Sequence, residues 1–151
     1  MKKWMYILLL MTVILSACSS QTSEKESNIR GIEDISLKQL SKHKNSYIGD
    51  NGAVGAILSD LPGNVIREYE IVDGKALKVT YGVKENINYT EEQFDTFWFD
   101  KKDTIEKNYL YNALALFILI DNVEQVTLKM STNDEPSVTF KRKQLEKMLR
   151  D

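Results

Sequence analysis

One cysteine in 151 residues sets the terms for this chain. Cys18 has no second cysteine to pair with, so any fold must rest on an apolar core rather than on disulfides. It also marks a division. Ahead of it stand Lys2 and Lys3, then an apolar stretch from Trp4 to Leu15, then Ser16-Ala17. A charged start, a short apolar run and small residues before a cut are the order of a cleavable export leader. The apolar stretch is too short for a bilayer-crossing helix, which takes about 20 residues. Residues 1–17 are therefore expected to be a signal peptide, with the working chain beginning at Cys18.

The run Leu15-Ser16-Ala17-Cys18 resembles the lipobox of bacterial lipoproteins. The resemblance implies that the Cys18 thiol takes a diacylglycerol carrying fatty acids such as palmitate, and that cleavage makes Cys18 the new N-terminus. Each buried CH₂ contributes about 0.8 kcal/mol and a single acyl chain holds only marginally, so two or more chains on one residue make a stable anchor. The expected address is the cell membrane, lipid-anchored, on its extracytoplasmic face. In a single-membrane bacterium that is the outer leaflet of the plasma membrane.

Loss of Lys2 and Lys3 with the leader takes the formal net charge from −2 to −4. A mildly acidic chain lacks the electrostatic footprint of a nucleic-acid binder. From Ser19 the segment Ser-Ser-Gln-Thr-Ser-Glu-Lys-Glu-Ser-Asn is polar and aperiodic, and offers no apolar surface to offset its ordering entropy. Residues 18–31 are read as an acylated cysteine and flexible tether, and residues 32–151 as one domain.

Within that domain, Ile32, Ile35, Leu37 and Leu40 space out a helical face from about Glu33 to His43. Asp50 or Asn51 can cap a second helix carrying Val54, Ile57, Leu58 and Leu61, which Pro62-Gly63 ends. Val65 to Val72 and Ala76 to Val83 flank Asp73-Gly74, a dipeptide suited to the positive φ of a tight hairpin turn. Phe94 to Phe99 is bulky and β-prone, and is expected as a third strand. A long helix is expected from Thr104 to Ile120; its wholly apolar end, Ala113 to Ile120, is expected to be buried on all sides. Val123 to Met130 alternates like a strand, Asn133 to Pro136 makes a turn, and Ser137 to Lys141 a paired strand with Val138 and Phe140 inward. Gln144 to Arg150 closes as a helix with Leu145, Met148 and Leu149 on one side. The expected fold is α+β: an antiparallel sheet of four or five strands packed on one long helix plus short helices.

Three segments carry a family resemblance. Lys42-His43-Lys44-Asn45-Ser46-Tyr47-Ile48-Gly49-Asp50-Asn51 is similar to a signature with a Tyr-Val-Gly-Asp-Asn core, here with Ile48 for valine. Val54 to Pro62 continues it, and Ala115 to Glu124 resembles the same family's helix-to-strand joint. The family is an uncharacterised extracytoplasmic domain, domain of unknown function 4825. The resemblance implies a module of Firmicutes envelope proteins, found as small lipoproteins and attached to membrane metallopeptidases of the antibiotic-sensor type. It implies no catalytic residue.

Tyr47, Gly49, Asp50 and Asn51 form the candidate binding loop. Asp and Asn bond their own backbone, glycine allows unusual φ, and tyrosine offers a ring for the core and a hydroxyl for the surface. The plainer reading of the same residues is a capping turn at the start of a helix, with a recognition loop for a ligand or partner as the functional alternative. The only histidine, His43, lies between Lys42 and Lys44 and reads as a solvated helix-end residue. With no second histidine or spare cysteine, nitrogen-and-sulfur zinc ligation is not expected. Glu91, Glu92, Asp95, Asp100 and Asp103 are close in sequence but lack the spacing of a calcium loop, and read as a solvated charged loop. Lys141-Arg142-Lys143, with Lys147 and Arg150, reads as a solvated helix face in preference to a second membrane contact. No catalytic set, cofactor or metal is expected, nor a nucleic-acid partner. The expected function is a lipid-anchored extracytoplasmic binding or interaction module of the bacterial envelope, with a sensory role and an envelope-protein partner in view. The alternative is a small envelope enzyme, or a regulator of a membrane peptidase, with the Tyr47–Asn51 loop as its site.

Overall fold

The computed structural model describes residues 29–85, 87–132 and 137–150. The expected leader, Cys18, the expected tether as far as residue 28, and the expected turn at 133–136 lie outside the described residues.

Asp50 starts the first substantial helix. Its Oδ1 accepts the Ala53 amide at 3.0 Å, satisfying one of the free donors at the N-terminus of α2 (Asn51–Asp60). Val54, Ile57 and Leu58 face inward from α2. After Pro62 the chain reverses at Gly63, whose φ of 68° is left-handed. A Cβ there would lie 2.1 Å from Cζ2 of Trp98, so only glycine fits this corner.

The hairpin follows. β1 (Ile66–Val72) and β2 (Ala76–Tyr81) pair antiparallel, with Tyr69 opposite Val79 and Ile71 opposite Leu77. Asp73 and Gly74 both take positive φ, and the Lys75 amide donates to the Val72 carbonyl at 3.2 Å. The dipeptide that marked the turn in the sequence makes it for the stated reason.

Phe94 to Phe99 is not a strand. It belongs to α3 (Glu91–Phe99), opened by a capping box in which Thr90 Oγ1 accepts the Gln93 amide at 3.2 Å and Gln93 Oε1 accepts the Thr90 amide at 2.9 Å. Phe94 and Trp98, four apart, are its buried residues, so the helical period overrides the β propensity of its aromatics. Trp98 sits at the centre of an aromatic cluster, its ring centroid 4.9 Å from Tyr81, 5.9 Å from Tyr109 and 5.2 Å from Phe97.

A turn over Asp100–Asp103 leads into α4 (Thr104–Leu119). β3 (Gln125–Met130) and β4 (Val138–Lys141) then complete one sheet in the order β1-β2-β3-β4. β1–β2 and β3–β4 are antiparallel, but β2 and β3 are parallel, Val79 beside Leu128. The all-antiparallel expectation is therefore corrected to a mixed four-stranded sheet. Its cause is the connection: α3 and α4 together form a crossover that returns the chain to the same end of the sheet, as parallel neighbours require. The helical layer is divided among several helices rather than carried by one long helix.

Leu77, Val79, Tyr81, Val126, Leu128 and Met130 form the buried inner face, and α2, α3 and α4 supply the other side of the core. Lys78, Lys129 and Thr139 point to solvent on the outer face. Inside, Asn112 donates to the Pro62 carbonyl at 2.9 Å and to the Tyr81 hydroxyl oxygen at 2.8 Å. Burial pushes the Tyr81 phenol far above its ordinary value, so it stays a neutral hydrogen-bonding group.

Three further expectations change. The helix expected over Glu33–His43 is broken into a 3-10 turn at Ile32–Asp34, α1 (Leu37–Leu40) and a 3-10 turn at Ser41–His43, because Ser36 turns extended and caps a new start by accepting the Gln39 amide. The apolar end of α4 is not buried all round, since Ile118 is exposed. In α5 (Arg142–Met148) only Leu145 is buried; Met148 and Leu149 are each 74% exposed because the core ends one turn earlier.

Candidate functional site

The Tyr47–Asn51 loop lies at the end of the sheet, and every strand-like contact around it is long-range. The Ser46 amide donates to the Leu119 carbonyl at 3.0 Å and the Asp121 amide to the Ser46 carbonyl at 2.9 Å, a parallel bridge between Ser46 and Ile120. The Asp50 amide then closes onto the Tyr47 carbonyl at 2.9 Å. Ile48 points inward and is buried. Its amide donates to Asn122 Oδ1 at 2.8 Å, while Asn122 Nδ2 reaches the Gly74 carbonyl at 3.5 Å. One amide side chain thus joins the loop, the helix-to-strand joint and the hairpin turn. Two of the three sequence segments that carry the resemblance, the opening signature and the joint, are in direct contact.

The candidate residues divide sharply by task. Asp50 spends its carboxylate on capping α2. Asn51 accepts the Tyr69 hydroxyl on its backbone carbonyl at 3.1 Å, leaving its own side chain exposed. Gly49 has an ordinary φ and nothing within 4 Å of where a Cβ would stand. Neither sterics nor backbone geometry asks for glycine there. Tyr47 is 60% exposed, with Ile48 rather than its own ring serving the core.

Sequence reasoning missed two residues that hold this end together. Asn122 lies within the helix-to-strand joint, where the sequence marks it, with Asp121, only as the stop of the long helix. Arg142, read as part of a solvated basic run, turns inward: its Nε donates to the Val123 carbonyl at 2.8 Å, its Nη2 to the Ile120 carbonyl at 2.7 Å, and its guanidinium stands 5.2 Å from the Phe117 ring centroid. No period in the sequence singles it out from Lys141 and Lys143. A salt bridge between Lys75 and Glu124 at 2.9 Å ties the hairpin turn to the start of β3. The Lys75 hydrogen bond and charge hold the Glu124 carboxyl below the usual carboxylate range.

His43 is not a solvated residue. Its ring is largely covered, with Nε2 3.5 Å from Asp60 Oδ2, while Asp60 Oδ1 accepts from Arg30 at 3.0 Å. Arg30 also accepts the Gly63 amide on its carbonyl at 2.9 Å and donates its own amide to Asn64 at 3.1 Å. The chain is therefore fastened to the α2–β1 corner from Ile29 onward. Glu91, Glu92 and Asp95 lie on α3, the first two in its opening turn where they complement the helix dipole, rather than in a loop. Among the described residues no three His, Cys, Asp or Glu side chains are grouped to hold a metal ion. No helix of the described residues is long and apolar enough to cross a membrane.

These features define a small α+β domain whose signature loop is clasped to the joint between its longest helix and third strand. Residues 40–143 match the family described as Domain of unknown function (DUF4825), and the chain belongs to it. No curated protein and no solved structure matches the chain.

Proposed function

We propose that this protein is a lipid-anchored extracytoplasmic interaction module of the bacterial cell envelope, held by acylated Cys18, and that it engages a protein partner through the Tyr47–Asn51 loop. The observation that carries the reading is the division of labour in that loop. Ile48 and Asp50 are committed to the fold, while Tyr47 is solvent-facing and Gly49 stands in open space. A rigid backbone that presents an aromatic ring beside an uncluttered glycine suits a contact surface, where an exposed tyrosine supplies apolar area and a hydroxyl together. The leader and Leu15-Ser16-Ala17-Cys18 supply the address.

The test places a photo-crosslinking amino acid at Tyr47 in intact cells, with Lys78 on the outer sheet face as the control position and Cys18→Ala as the control for the address. The expected result is one discrete adduct at Tyr47 that is absent at Lys78 and lost with Cys18→Ala. Equal labelling at both positions, or no incorporation of a palmitate analogue into the wild-type chain, overturns the reading.

A further inference from the structure

The inner face of the sheet is covered unevenly. On β2 and β3 its side chains are fully buried, but on β4 Val138 and Phe140 are only partly so. The uncovered strip opens a groove of about 560 Å³ between β4 and the corner joining α3 to α4. Trp98 and Tyr109 line its depth; Phe99 and Leu110 wall it and remain 39% and 43% exposed. Along its other side runs the outer backbone edge of β4, whose ladder, among the described residues, goes to β3 alone.

Two wants therefore coincide among the described residues: main-chain groups without a strand, and the part-exposed apolar side chains of Phe99, Leu110, Val138 and Phe140. An acyl chain would fill the groove and leave the backbone edge unpaired. An added strand answers both, because at about 4.8 Å from β4 its inward side chains fall over the groove. The rim indicates whose strand. Lys101 and Lys102 stand beside Asp103 and Glu106, both signs in one short stretch. A mixed rim matches a copy of itself across a two-fold axis, as an isologous contact requires, and shows no single-sign excess that would select an oppositely charged partner.

We propose that β4 of a second copy of this chain occupies this edge. Antiparallel β4–β4 pairing fuses two sheets into one, and the Phe140 and Leu110 of each copy close the shared groove. The inference rests on neither the lipid nor the Tyr47 loop, so its failure leaves the proposed function standing.

A chain starting at Ser19 retains every buried core residue among the described residues and serves as the sample. Sedimentation velocity from about 1 µM to about 1 mM should show a reversible dimer. Leu110→Glu, at an exposed position, should raise the dimer dissociation constant at least about tenfold while leaving circular dichroism unchanged. Lys101→Glu with Lys102→Glu should also weaken the dimer, and adding Glu106→Lys should restore it. In the wild-type dimer, amide exchange at residues 138–141 should slow with rising concentration. A monomer at every concentration overturns the proposal, as does a dimer that these substitutions leave intact.

Discussion

The Asn122 side chain accepts the amide of Ile48, 74 positions earlier in the chain, at 2.8 Å. That bond fixes the loop carrying the candidate contact residues to the part of the fold where a helix gives way to a strand. Asn122→Ala leaves the Ile48 amide without its partner and should cost about 1–3 kcal/mol in urea unfolding. Because the loop loses its side-chain tie to the joint, exchange of the Ile48 and Asp50 amides should accelerate more than that of β2. Uniform acceleration would argue against a local clasp.

Tyr47 and Gly49 should be dispensable for folding. Tyr47→Ala and Gly49→Ala are expected to change unfolding free energy by less than about 0.5 kcal/mol, as surface changes away from structural tasks do. Asp50→Ala removes a helix cap and should cost about 1 kcal/mol. If Gly49→Ala proved as costly as Asp50→Ala, the loop's open residues would have a structural duty after all. Thermal melts of the three variants decide this.

Gly63 is the opposite case. Its left-handed φ and the 2.1 Å approach of Trp98 to a would-be Cβ combine strain with overpacking. Gly63→Ala should destabilise by about 3 kcal/mol, visible as a lowered midpoint and as a changed near-ultraviolet signal from the displaced indole.

Arg142→Ala removes two charge-assisted bonds to the carbonyls of Val123 and Ile120 and should cost about 2 kcal/mol. Arg142→Lys should recover only part of this, since an ammonium cannot reproduce the planar fork over Phe117. Lys143→Ala, on the exposed side of the same run, serves as the comparison and should be silent.

The Lys75–Glu124 pair makes a pH prediction with a fixed sign. The hydrogen bond and charge of Lys75 depress the folded-state value of Glu124. Its contribution is therefore present above the unfolded-state value and lost as pH falls through the folded one. The pair is exposed, so salt should screen it. Carboxyl chemical shifts should report a Glu124 midpoint below the ordinary glutamate range that rises in high salt and in Lys75→Met.

What could be read from the residues follows a physical line. Asp73-Gly74 announced its turn because positive φ at two successive positions leaves few candidates, and Asp50 announced its cap by standing before an apolar period. Phe94 to Phe99 reads as a strand on its aromatic propensity alone, whereas Thr90 and Gln93, the capping pair ahead of it, start a helix. The parallel pairing of β2 with β3 was out of reach, since it depends on how two helices route the chain across the sheet. Arg142 and Asn122 were equally hidden. Their value comes from carbonyls and amides brought near by the fold, and no spacing in the sequence encodes such a meeting. At the candidate loop the residue types were legible, but which of them the fold consumes and which it leaves free was not.

The parallel seam at the middle of the sheet also governs assembly in time. β2 is complete at Tyr81, yet the strand that shields its free flank begins at Gln125. A growing or threading chain must therefore hold a hairpin with one bare flank until two helices have followed it. Residues on that seam should gain exchange protection late, after the hairpin turn, and truncation anywhere before Met130 should leave a chain that clumps instead of settling.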